Sequence, residues 1–183
     1  MKKILVLIFF STLSAAVYSQ SLFMTRSGQI SFFSKTPMEN IEGVNNEVTS
    51  MLDTGKGDLV FAVLVKSFHF ERALMEEHFN ENYMESNTYP KATFQGKIKN
   101  LSTINLTKDG TYEATIEGDL TIHGVKQLHK AVGTITVSKG KIAGVSTFTI
   151  KLADYKIEIP SLVADKISPT IEIRINCQYE PKS

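Results

Sequence analysis

Four histidines, a row of carboxylates and a single thiol are the groups in this chain whose types could do chemistry. His69, His78, His123 and His129 could hold a divalent cation or move a proton near neutral pH. A helical metal site would need two histidines at i and i+4, as in His-Glu-x-x-His, and no such pattern occurs. One cysteine is too few for a thiolate-rich metal scaffold. Glu76, Glu77, Glu81 and Glu85 stand at helical spacings, but a general acid needs its carboxyl drawn into an apolar pocket, and these read as a solvated face. No Gly-x-Ser-x-Gly elbow appears, and Gly55-Lys56-Gly57 is a turn rather than a phosphate cradle. His123 falls on a polar parity and reads as a solvent-facing strand residue, whereas His78 could line the mouth of a cavity. The residues contain no catalytic constellation, so the chain reads as a non-enzymatic protein with no cofactor and no metal site.

Composition narrows the classes further. The chain has 183 residues, 42% of them hydrophobic and 21% charged, which is too apolar for a disordered chain. A net charge of +1 gives no electrostatic basis for binding nucleic acid. Lys2 and Lys3 precede the apolar run Ile4 to Phe10, and Val17-Tyr18-Ser19 suits signal peptidase, so residues 1–19 read as a signal peptide and 20–183 as one domain. That run is too short to span a membrane, and no later stretch predicts a transmembrane segment. The expected location is periplasmic or secreted. Lys2 and Lys3 leave with the leader, and 18 basic side chains then face 19 acidic ones. Cys177 has no disulfide partner and lies on the apolar parity of Ile171 to Tyr179, where it reads as a small buried hydrophobe.

The elements that would position a site are strands. From Thr111 to Val125 the even positions Tyr112, Ala114, Ile116, Gly118, Leu120 and Ile122 are apolar, and the odd positions, from Thr111 to His123, are polar. The pattern recurs at 92–98, 145–152 and 170–179, while Leu59 to Val65 is apolar on both faces and predicts a strand covered on both sides. Strands are expected near 21–26, 28–35, 45–52, 58–69, 92–104, 111–125, 128–138, 142–152 and 170–179. The turns between them are Thr54 to Asp58, Lys108-Asp109-Gly110 and Ser138 to Lys141. Such a series predicts a mainly all-β fold, an antiparallel sandwich or closed barrel of about eight strands. One stretch, Glu71 to Glu85, sets Met75, Phe79 and Tyr83 four apart and reads as an amphipathic helix ending before Pro90. A short helical turn is expected at Ser161 to Lys166.

Three segments carry a resemblance: Phe68 to Ser86, the block Tyr89-Pro90-Lys91-Ala92-Thr93-Phe94, and Gly118-Asp119-Leu120-Thr121-Ile122-His123-Gly124-Val125. They resemble the YceI-like family, exported bacterial proteins with a lipocalin-like antiparallel barrel that carries a long polyisoprenoid. The resemblance implies a closed eight-stranded barrel capped at one end by the helix and the short turn. Its ligand would be an apolar isoprenoid-type lipid or quinone. The chain departs from the family pattern at Lys151 to Ile157, where an Arg-x-x-Phe-Gly type segment is usual, and in its compact section around Phe32-Phe33-Ser34. A shorter wall there would shrink or close the channel.

The strand parities assign Phe61, Val63, Phe94, Tyr112, Ile116, Leu120, Phe148, Ile150 and Ile173 to the barrel interior, and the helical segment adds Phe70, Met75, Phe79 and Tyr83. If these side chains interdigitate completely, the barrel is filled and the protein becomes a secreted interaction or stress-related module. Partners would then dock at Met75, Phe79 and Tyr83 or on an edge strand. Monomer and homodimer are both compatible with the sequence.

Overall fold

A computed structural model of the chain describes residues 21–182. The expected signal peptide lies outside them. Nine strands form one antiparallel sheet: β1 (Leu22–Lys35), β2 (Asn40–Asp53), β3 (Asp58–Leu64), β4 (His69–Phe70), β5 (Lys91–Ile98), β6 (Gly110–Ile122), β7 (Val125–Ser138), β8 (Lys141–Lys151) and β9 (Thr170–Pro181). Pairing runs β1-β9-β8-β7-β6-β5-β3-β2, and β2 pairs back to β1, which closes an eight-stranded barrel with the two-residue β4 attached to β2. Closure removes the sheet edges that would otherwise template aggregation. Among the described residues no helix is long and apolar enough to cross a membrane.

Local chemistry explains most of the joints. The expected strands 21–26 and 28–35 are one strand, because a bulge between Thr25 and Ile30 shifts register without ending the pairing to β2. Gly28 occupies that bulge, where an added Cβ would come within 2.6 Å of Cys177 Sγ. At the β2–β3 turn the Asp53 carboxylate accepts from the amides of Gly55 and Lys56 at 2.8 and 3.1 Å. His123 and Gly124 both have positive φ, 51° and 71°, and connect Ile122 to Val125 as a two-residue hairpin. His123 is therefore a turn residue and not a strand residue. Its side chain is 11% exposed, not solvent-facing, with Nδ1 3.2 Å from the Tyr155 carbonyl oxygen.

Two further expectations are corrected. Lys108-Asp109-Gly110 does not close a tight hairpin: β5 stops at Ile98, and residues 99–109 fold across the lower end of the barrel with Ile104 buried. Asp109 instead accepts from the Lys139 amide of the β7–β8 turn at 2.9 Å. The outer face of β3 is not covered either. Leu59, Phe61 and Val63 are buried, but Leu64 is 46% exposed, since a single-layer barrel has nothing outside to cover it.

The helix forms in two pieces, α1 (Ala73–His78) and a wider π turn (Phe79–Tyr83) in which the Met84 amide donates to the Phe79 carbonyl at 2.9 Å. The short turn expected after Pro160 is a 3₁₀ turn at Ser161–Val163, extended by a hydrogen bond that the Lys166 amide donates to the Val163 carbonyl. The helix, the β6–β7 turn and the 152–169 segment all lie at the upper end.

Candidate functional site

Inside the barrel the inward positions follow the pairing. Phe61 faces Phe94 and Phe94 faces Leu120, Ile98 faces Ile116, and Phe148 faces Ile173. These side chains do not meet in the middle. They line a cavity of about 530 Å³, within the range of small-molecule sites. The void exists because other inward positions carry little volume: Ala131 and Gly133 on β7, Gly144 and Ser146 on β8, and Ala92 on β5 all border it. Gly96 and Gly118 face each other across β5 and β6, and a Cβ on Gly118 would come within 2.3 Å of the Gly96 Cα. The expected shortening of the wall at Lys151 to Ile157 does not close the channel, because Leu152 and Ile157 themselves border it.

The floor is tightly packed. Leu52 and Ile142 are each 2% exposed, and Tyr179 reaches Ser50 with 2.8 Å between the hydroxyls. Ser50 donates to the Val60 carbonyl at 2.9 Å, so Tyr179 is the donor to Ser50. Burial pushes the Tyr179 phenol far above its ordinary range. Cys177, next to it, is 1% exposed, and desolvation raises its thiol to about 11, which leaves it inert at neutral pH.

The mouth is aromatic. Phe79 stacks on Phe32 at 5.3 Å with 23° between the rings, and it also meets Phe70 at 5.0 Å and Phe68 at 5.6 Å. Met75 and Tyr83 border the cavity from the same helical segment, so they face the interior and are not an outward docking stripe. An ion pair between Arg72 and Glu39 ties the start of α1 to the β1–β2 turn. Burial raises the Tyr83 phenol. The segments that carried the family resemblance touch here: Tyr89 packs on His123 at 4.7 Å, and its ring would collide with any Cβ at Gly124.

Of the thirteen side chains assigned from sequence, twelve border the cavity: Phe61, Val63, Phe70, Met75, Phe79, Tyr83, Phe94, Ile116, Leu120, Phe148, Ile150 and Ile173. Tyr112 does not. It stands below the floor, where its hydroxyl donates to the Lys108 carbonyl at 3.1 Å. Sequence reasoning missed His129, which borders the cavity from β7 with its ring 4.5 Å from Phe148. The parity of Ala131, Gly133, Ile135 and Val137 carries that signal. His78 also borders the cavity. His69 is exposed, 3.4 Å from Glu76. Among the described residues no cluster of three or more potential ligands could hold a metal ion.

A closed eight-stranded antiparallel barrel with an apolar chamber and an aromatic, helix-covered mouth defines the class of protein. The class sharpens with the comparisons: the chain belongs to the YceI-like domain family, whose model matches residues 22–179. No curated protein matches the chain. Its fold is similar to that of a polyisoprenoid binding domain from Saccharophagus degradans, implicated in plant cell wall breakdown, at 17% identity and a TM-score of 0.78 over 89% of this chain and 99% of that one. It is also similar to Burkholderia cenocepacia BcnA, at 17% identity and a TM-score of 0.68 over 84% and 96% of the two chains. The Campylobacter jejuni YCEI protein aligns at 20% identity and a TM-score of 0.59 over 76% and 85%.

Proposed function

We propose that this protein is an exported, non-enzymatic carrier or sequestering protein for a long apolar chain of the isoprenoid type, held inside the barrel. The observation that supports this reading most is the apolar chamber of about 530 Å³ itself, kept open by small inward residues while the floor beneath it is packed. The polyisoprenoid binding domain of similar fold supports the ligand class. Each buried methylene contributes about 0.8 kcal/mol, and association costs roughly 4–15 kcal/mol, so a chain well beyond ten carbons is what yields useful affinity. Glu39 is the one carboxylate among the described residues that border the chamber, and it is paired with Arg72 at the mouth, so no carboxylate pair faces the interior.

Lipid mass spectrometry on protein purified from its own host tests the reading. An elongated isoprenoid should co-purify in near-stoichiometric amount. Protein that carries no extractable lipid and shows no affinity for isoprenoid probes would overturn it. Export is tested separately: amino-terminal sequencing of the periplasmic or secreted fraction should begin at Gln20.

A further inference from the structure

The chamber wall holds a group that a container for plain hydrocarbon does not need. His129 stands on β7 opposite Gly118 of β6, with its imidazole bordering the cavity. Its Nε2 is shut off from solvent and has no hydrogen-bond partner among the described residues. A neutral imidazole has one donor and one acceptor, and leaving such a group unpaired in apolar surroundings costs about 1–3 kcal/mol. Leucine or valine at this position would avoid that cost.

The open space beside the ring is the chamber that His129 borders. Gly118, its partner on β6, adds no side chain but is packed against the Gly96 backbone, and the Phe148 ring lies tilted at 52° to the imidazole. The β7–β8 ladder also ends at Gly133 and Ser146, so His129 and Phe148 meet across a stretch where the two strands are not hydrogen-bonded to each other. Rotation about χ2 exchanges the nitrogen and carbon edges of the ring, so a nitrogen can be turned to the chamber.

We propose that His129 is the polar contact for the head group of the ligand, and that this ligand is an apolar chain ending in a neutral hydrogen-bonding head, a carbonyl or hydroxyl, rather than an anionic phosphate. This inference rests on the lipid-carrier reading above. The cationic side chains that border the chamber, Arg72 and Lys166, are exposed, and Arg72 is already paired with Glu39. A phosphate beside His129 would thus be desolvated without a counter-charge, which is strongly unfavourable. Burial also depresses the His129 pKa below its usual value, which keeps the ring neutral at pH 7.

Three probes with related tails test it on the delipidated full protein: squalene, which has no head group, an isoprenoid quinone, and a polyprenyl phosphate. The wild type should bind the quinone roughly three- to tenfold more tightly than squalene, the range of one net hydrogen bond, and the phosphate no more tightly than squalene. His129→Leu should erase the quinone preference while leaving squalene binding intact, and His129→Gln should retain part of it. His129→Met provides a second apolar variant should the leucine protein fail to fold. If the apolar variants keep the quinone preference, or if the phosphate binds most tightly, the assignment of His129 is overturned while the carrier reading stands. If the wild type binds none of the three, both fall.

Discussion

The floor of the barrel and the wall around His129 are built from the same alternating strands and pack differently. Near the floor, Val48, Leu52, Ile142 and Cys177 point inward and are at most 2% exposed. Higher up, Ile116, His129, Phe148 and Ile173 point inward just as regularly and remain only half-buried. The difference lies in their neighbours. On the floor Leu52 lies opposite Leu59, and Ile142 opposite Val137 and Tyr179, whereas higher up Ile116 lies opposite Ala131 and His129 opposite Gly118. Alternation of apolar residues makes a barrel, and the placement of small residues decides which part of it is hollow.

The comparison can be broken most forcefully by equal truncations at the two levels. Leu52→Ala should destabilise the fold by about 2–5 kcal/mol, because the packed floor cannot collapse around the lost volume. Phe148→Ala should cost clearly less in the same chemical denaturation experiment, since much of that ring already borders space. Equal losses would mean that the chamber is packed in solution. Filling the void is the converse. Ala131→Phe should weaken binding of an isoprenoid probe by about tenfold or more, equivalent to at least 1.4 kcal/mol, with little loss of thermal stability. Tyr179→Phe tests the floor at a finer scale. Removing the hydroxyl that donates to Ser50 should cost about 1 kcal/mol and leave probe binding unchanged.

A further effect is kinetic and pH-linked. The Cys177 thiol should resist a disulfide reagent at pH 8 in the folded protein and react at once in denaturant. Burial raises this acid from 9.0 to about 11, so folding favours the protonated form. That contribution is complete below pH 9 and is lost as pH climbs through about 11. Stability measured against pH should decline over that interval, and Cys177→Ala should remove this part of the decline.

Much of this architecture is legible in the sequence because strand parity is a strong physical signal. Leu120, Phe148 and Ile173 could be placed inside from their spacing alone, and the helical spacing of Met75, Phe79 and Tyr83 put them on one face. Tyr112 shows the limit of that reasoning. Parity gives the side of the sheet but not the height along the barrel, and β6 begins below the chamber floor. His129 was hidden by its neighbours: Lys126, Gln127 and Lys130 are polar, and Leu128 and Val132 point outward with 64% and 55% exposure, so the parity of β7 is blurred in its first half. The hairpin at His123-Gly124 escaped notice because alternation runs unbroken up to it, and only the positive backbone angles reveal the reversal. The void could not be read at all from lists of large apolar residues, since glycines and alanines make it by omission.

Above Gly133 and Ser146, β7 and β8 part, and the last fastening between them is the Ser146 hydroxyl on the Val132 carbonyl at 2.8 Å. The girth of the upper barrel is therefore not fixed by backbone rungs on that side. On the carrier reading, a thicker guest in the upper chamber would meet no β7–β8 backbone rung above that point.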